Sequence, residues 1–223
     1  MRKIAIVLYG PPGSGKGTQA NLLADKLGIT HFDTGKFLEA VVHDPKRQRE
    51  KVIKRERKNF DTGILVTPSF TLREVARETI RIGKCGLGII FSGSPRTVYE
   101  ASGLYPLFEK LYGKKNIYVF ELKLSPEGSI ERNSSRLVCS VCGYTLLTAY
   151  YPSKKPRYCP VCAGSFYRRT LDKPEVIKVR LKQYRDRTEP IFDLIKKHGY
   201  KVHQIDARPA PHKVLKKLLG YFG

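Results

Sequence analysis

Two groups of residues in this chain have the types and spacing that chemistry requires. Gly10-Pro11-Pro12-Gly13-Ser14-Gly15-Lys16-Gly17-Thr18 is a glycine-rich run closed by a lysine and a hydroxyl. Such glycines let backbone N–H groups curl around a phosphate at a helix N-terminus, where the helix dipole also favours negative charge. The lysine adds a point charge for the outer phosphates, and a hydroxyl just beyond it can hold Mg²⁺. The second group is Cys139-x₂-Cys142 and Cys159-x₂-Cys162, separated by sixteen residues. That is the spacing of two knuckles closing on one tetrahedral Zn²⁺, and four thiolates leave no open position, so the metal would be structural. Gly143 and Gly164 supply the tight turns such knuckles need. The fifth cysteine, Cys85, lies in a glycine-rich turn with no chemistry assigned to it.

These residues need elements to position them. Ile4 to Leu8 is apolar and β-branched, the composition of a strand buried on both faces, and Gln19 to Leu27 reads as a helix. Strand, glycine-rich turn and helix is the context a phosphate-binding loop demands. Further strands are expected at Ile29 to Asp33, Leu87 to Phe91, Asn116 to Leu124 and Tyr200 to Ile205. Helices are expected over Thr71 to Arg81 and around His212 to Leu219. Strands alternating with helices imply an α/β chain whose parallel sheet is covered on both faces.

Composition sets the bounds. A chain of 223 residues can bury a full core. Its formal charge of +22, from 42 Lys+Arg against 20 Asp+Glu, attracts polyanions: nucleotides, and nucleic acid non-specifically. The early apolar run is too short to span a bilayer and no signal-peptide pattern follows it, so no membrane association is expected. Reduced cysteines used for metal rather than disulfides fit a cytoplasmic setting. Lys46 to Lys58 carries eight basic and two acidic residues. It reads either as a solvated helix face or as a helix contacting RNA phosphates.

The string GPPGSGKGTQA resembles the adenylate kinase branch of the nucleoside monophosphate kinases, in which Gly17 separates the lysine from the hydroxyl of Thr18. The likeness continues through Thr34-Gly35-Lys36-Phe37-Leu38-Glu39, where the family reads TGDMLR, and through Asp61 to Pro68. It extends to Ser92-Gly93-Ser94-Pro95-Arg96-Thr97, where the family reads DGFPRT, to Arg132-x₃-Arg136, and to Arg169-Thr170-Leu171-Asp172, which resembles R-x-D-D. From Lys3 to about Leu219 the chain is similar to the zinc-lid members. That resemblance implies a P-loop three-layer α/β sandwich with a five-stranded parallel sheet. It also implies a core of residues 1–32, 69–134 and 173–223, a small helical acceptor-binding insert at 33–68 and a zinc-ribbon lid at 135–172.

It further implies ATP with Mg²⁺ held by Gly13, Ser14, Gly15, Lys16, Gly17, Thr18, Arg132, Arg136 and Thr145. The acceptor, most simply AMP, would be held by Thr34, Lys36, Glu39, Gly93, Arg96, Glu100, Arg169 and Arg180, with the backbone of Ile64, Leu65 and Val66 facing the base. Lys16, Arg96, Arg136, Arg169 and Arg180 would act on the transferring phosphoryl group, and a monomer is expected.

The departures are specific. Ser92 replaces an aspartate that would organise water around Mg²⁺, which leaves a slower enzyme or a relocated ligand. Leu171 replaces a second aspartate. Lys36 and Glu39 exchange the charges of the family's aspartate and arginine. Three apart on a helix, they are expected to pair while the ammonium reaches the acceptor phosphate. Glu100 stands where a glutamine reads the base, so it either shifts preference toward guanine or points away. Asp172 reads as a helix N-cap ahead of Pro174 and Glu175, with Ile177, Leu181 and Tyr184 as the apolar stripe of that helix. Tyr150, Tyr151, Lys154, Lys155, Arg157 and Tyr158 give the lid an aromatic and basic mix suited either to stacking on single strands or to packing on one another. A kinase-fold protein that binds RNA or ribosomes, and a kinase for another acceptor such as GMP, therefore stay open as alternatives.

Overall fold

The structure, a computed structural model, describes residues 3–153 and 156–223; Lys154 and Lys155 lie outside the described residues. The chain runs β1 (Ala5–Tyr9), α1 (Lys16–Leu27), β2 (Thr30–Phe32), α2 (Thr34–Val42), α3 (Lys51–Asp61), α4 (Pro68–Lys84), β3 (Ile89–Phe91) and α5 (Val98–Tyr112). It continues through β4 (Ile117–Lys123), α6 (Pro126–Ser135), the short strands β5 (Arg136–Cys139), β6 (Thr145–Leu147) and β7 (Phe166–Tyr167), and then α7 (Pro174–Gln183), α8 (Ile191–Lys197), β8 (Val202–Asp206) and α9 (Pro211–Leu219).

Five strands form one parallel sheet in the order β2-β3-β1-β4-β8. Every residue of β1 is buried, as its unbroken apolar run requires for a strand covered on both sides. Alternation divides its side chains between two cores. Ala5, Val7 and Tyr9 pack with Phe91, Leu104, Phe108, Val119 and Ile191 on one face. Ile6 and Leu8 pack with Ala20, Leu23, Phe120, Leu122, Val214 and Leu218 on the other. The result is the expected α/β sandwich, and the carboxyl ends of its strands are where functional loops gather. A separate three-stranded antiparallel sheet, β6-β5-β7, carries the cysteines.

The helix expected over Thr71 to Arg81 is longer, because Pro68 starts it at the first turn, where a missing N–H costs nothing. Between β2 and β3, a small core of Leu38, Ile53, Val66 and Phe70 holds α2, α3 and the following loop together. The basic stretch divides at Gln48–Glu50. Its start is a short 3-10 turn over Pro45–Arg47 and only its second half is α-helical; α3 turns Lys51, Lys54, Arg55, Arg57 and Lys58 to solvent while Ile53 and Glu56 face inward.

Glu56 is fully buried and accepts hydrogen bonds from the Thr67 N–H (2.8 Å), the Thr67 hydroxyl (2.7 Å) and Arg55 Nε (2.8 Å). Burial pushes its carboxyl up, but these donors outweigh it and hold the group below its ordinary value. Glu56→Ala is expected to cost about 1–3 kcal/mol, since it removes three hydrogen bonds to a buried carboxylate and leaves the half-buried Thr67 donors unpaired. Denaturant unfolding monitored at Thr67 by amide exchange checks this. The Glu56 contribution should be full above the unfolded carboxyl's pKa of about 4.3. It should disappear as pH falls through the lower folded value.

Candidate active site

The glycine-rich run lies at the carboxyl end of β1. Gly13 (φ +77°) and Gly15 (φ +89°) occupy the left-handed region, and a Cβ on Gly13 would meet Asn133 Nδ2 at 2.5 Å. The loop therefore closes tightly enough to bring Lys16 Nζ back onto its own carbonyls, Gly10 O at 2.6 Å and Pro11 O at 2.9 Å. Ser129 on α6 braces the outside of the loop by donating to Pro12 O at 2.5 Å. Thr18, in the first turn of α1, keeps its hydroxyl free of protein hydrogen bonds among the described residues.

Electrostatics set this site apart. Burial drives the Lys16 ammonium well below its ordinary pKa, and the positive charges of Arg96, Arg180 and Arg136 push it further in the same direction. Arg96 is shifted down by burial, with Arg169 adding to the effect. Arg180 is brought down to about 9 by burial and by Arg136 and Arg96, which still leaves it charged at pH 7. Five cations, from the start of α1, the loop after β3, β5, the segment after β7 and α7, thus converge, and their mutual repulsion makes the cleft a receptor for polyphosphate. Gly93 allows this approach, because a Cβ there would come within 3.2 Å of the Arg96 guanidinium and 3.1 Å of Thr34 Cβ.

Few carboxylates balance these charges. Asp172, 6% exposed, receives a two-pronged contact from Arg136, with Nε and Nη2 each at 2.6 Å, and lies 3.9 Å from Arg180. The expected N-cap role of Asp172 is overturned: Lys173 precedes α7 with no side-chain cap, because the Asp172 carboxylate is committed to arginine. Glu39 does not pair with Lys36 as expected. It reaches Arg169 Nη2 at 3.0 Å, whereas the exposed Lys36 approaches Gly143 near the first cysteine pair. Residues three apart on α2 diverge here because Arg169 and the Gly143 turn offer each a different neighbour. Glu100, 1% exposed, accepts from Arg96 N at 2.8 Å, Thr97 Oγ1 at 3.1 Å and Ser94 Oγ at 3.3 Å, while Thr97 caps α5 in return. This reciprocal capping engages both carboxylate oxygens; Thr97-x₂-Glu100 was the signal for it in the sequence.

The remaining expected contacts spread over the cleft. Thr34 is buried with its hydroxyl unpartnered. Ile64 is exposed, Leu65 half-buried and Val66 buried in a loop whose Gly63 lies against Val176 and Arg180 of α7. Arg132 bonds Tyr150 Oη at 2.9 Å and Arg208 O at 2.8 Å, with its guanidinium 5.8 Å from the Tyr150 ring centre. Thr145 starts β6 opposite Val138. Tyr158 points to solvent, and no aromatic pair forms in this region among the described residues.

The four cysteines meet. Their sulfurs all lie within 4.8 Å of one another, with Cys139–Cys162 at 3.4 Å and Cys142–Cys159 at 3.7 Å. Zn–S bonds of about 2.3 Å in a tetrahedron separate the sulfurs by about 3.8 Å, so the cluster fits Zn²⁺. The Cys139 thiol is drawn down to about 6, first by the Cys142 N–H and further by the Val141 N–H.

A family model described as adenylate kinase matches residues 8–200, which spans the P-loop, the arginines and the cysteine sheet together. The chain belongs to the adenylate kinase family. It is 36% identical over 194 residues to an adenylate kinase of Methanosarcina barkeri, covering 87% of both chains. It is 34% identical over 194 residues to one of Caldicellulosiruptor saccharolyticus, again 87% of both. With one of Bacillus velezensis it shares 34% identity over 219 residues, 96% of this chain and 97% of the relative. As a member, the chain is a P-loop nucleotide kinase. No helix among the described residues is long and apolar enough to cross a membrane.

Two outcomes follow from the site. Protein produced with zinc should carry about one equivalent by metal analysis. Cys142→Ser should lose it and loosen the β5–β7 region first, since metal binding supplies the folding energy of so small a sheet. Asp172→Asn should cost about 3–5 kcal/mol in denaturant unfolding, because Arg136 is left buried beside other cations without its partner.

Proposed function

We propose that the chain transfers the terminal phosphoryl group of ATP reversibly to AMP, giving two ADP. The observation that carries this reading is Lys16, half-buried at the start of α1 where the loop after β1 ends, in the field of Arg96 from the loop after β3, Arg136 of β5 and Arg180 of α7. Phosphoryl transfer needs little covalent help. It needs charge neutralisation, in-line positioning and exclusion of water. In this reading residues 1–32, 69–134 and 173–223 form the core, 33–68 receive the acceptor and 135–172 close over ATP around a structural Zn²⁺.

The loop at Gly13 to Thr18 would cradle the ATP phosphates, with Lys16 released from Gly10 and Pro11 onto them. Arg96 and Arg169 would hold the acceptor phosphate, and Arg136 and Arg180 would bear on the group in transit. Burial depresses Lys16 first and the neighbouring arginines depress it further; anionic phosphate offsets both, so substrate and lysine stabilise one another. Thr18 and Ser92 offer hydroxyl oxygens to Mg²⁺, which when bound would neutralise phosphate charge. Glu39 stands on the acceptor side and would have to yield Arg169 to the incoming phosphate. That pair is partly exposed, so releasing it costs about 0–1 kcal/mol. With Glu100 occupied in capping, selection of the base falls to the backbone of Ile64 to Val66.

The test is ADP formation with AMP, GMP, CMP and UMP as acceptors, run on the wild type and on Lys16→Ala. AMP should be the preferred acceptor. Lys16→Ala should lower kcat by at least about 10²-fold with the thermal midpoint retained, because it removes transition-state charge stabilisation rather than packing. Unchanged turnover in the variant, or no turnover with any acceptor in the wild type, would overturn the reading.

A further inference from the structure

Ser92 leaves the end of β3 without the carboxylate that the family resemblance places there, and Lys36 removes a second one. The parallel register shows where a replacement stands. β2 pairs with β3 through Thr30↔Ile89, His31↔Ile90 and Phe32↔Phe91, so the next residues, Asp33 and Ser92, leave the sheet side by side at its carboxyl edge. The missing negative charge is therefore present, one strand over.

Elimination singles out Asp33. Asp172 is committed to Arg136, Glu39 to Arg169 and Glu100 to the cap of α5. Asp33 makes no ion pair among the described residues. Its Oδ1 accepts from the Lys36 N–H at 3.2 Å, and its Oδ2 takes no hydrogen bond there. Its charge supports Lys16, and it acts on Arg96 and His31 as well. Beside it the Thr34 hydroxyl is 1% exposed with no partner, as a group left for a ligand would be.

Ser92 is held for a complementary part. His31 Nδ1 meets Asn21 Oδ1 at 2.5 Å, and its Nε2 meets Ser92 Oγ at 2.8 Å. An imidazole that donates from Nδ1 to the amide oxygen must accept at Nε2 when neutral. The Ser92 proton is thereby drawn toward the ring, leaving the oxygen lone pairs for another group. Thr18, Ser92 and Asp33 together form a set of hard oxygen donors suited to Mg²⁺.

We infer that Asp33 is the carboxylate that organises the Mg²⁺ accompanying ATP, working from the end of β2 in place of the position held by Ser92 on β3. This rests on the phosphoryl-transfer reading. It makes Asp33 a positioning residue toward the metal rather than only the cap of α2.

The test uses the full chain with a non-hydrolysable ATP analogue. Asn caps helices as well as Asp does, so Asp33→Asn preserves α2 while removing the charge; Asp33→Ser is a second capping variant. Binding of the analogue without metal, measured by calorimetry, should be unchanged or tighter in both variants, because a negative charge near Lys16 is gone. Mn²⁺ affinity of the analogue-bound protein, measured by EPR titration, should fall by about 10–100-fold, as for loss of an outer-shell ligand. Adding Ser92→Asp to Asp33→Asn should restore most of it. Mn²⁺ titrations of the two variants that superimpose on the wild type would overturn the assignment while leaving the kinase reading intact. Failure of the wild type to bind the analogue in either condition would overturn both.

Discussion

Repulsion among Lys16, Arg96, Arg136, Arg169 and Arg180 is the constraint on which the rest of this structure depends. Like charges converging at the edge of a buried sheet persist only where the scaffold is stiff and partners are few and well placed. The five-stranded sheet supplies the stiffness, with both faces packed and Lys16 and Arg96 carried just beyond the carboxyl ends of β1 and β3. Polyphosphate removes the repulsion, so the free energy that folding stores as electrostatic strain reappears as affinity for nucleotide.

Each carboxylate near the cleft has one identifiable task. Asp172 neutralises Arg136, Glu100 builds the start of α5, and Glu39 joins the helix after β2 to the end of the cysteine sheet. Moving charges among positions has kept their balance while changing their holders. The exchange at Lys36 and Glu39 does not cancel locally. It is resolved across the cleft, where Arg169 gains a partner and Lys36 turns toward Gly143.

The cysteine sheet obeys a different constraint. Three strands of two to four residues bury little more than Val138, Cys139, Leu146 and Cys159, too little to hold a fold by apolar burial alone. The four sulfurs stand in for that missing core. Arg132, Tyr150 and Arg208 add a polar tie between this sheet and the loop after β8.

The five core strands, the phosphate loop and the cysteine cluster were legible in the chain, because each is a local pattern of residue types at fixed spacing; the arginines were marked out by the family resemblance. Thr97-x₂-Glu100 was equally local, a capping pattern that bears on the choice between the two readings of Glu100, a base contact or a side chain turned away. Other features were decided by tertiary structure alone. Asp172 looks like a cap until the fold sets Arg136 beside it, 36 residues away. The partner of Glu39 lies 130 residues along the chain, on a segment that folding alone brings near. Asp33 replaces Ser92 only because two strands pair in parallel with their ends level. Sequence records which side chains are available; the choice of partner for a charge depends on distance through space, which the chain acquires only when it folds.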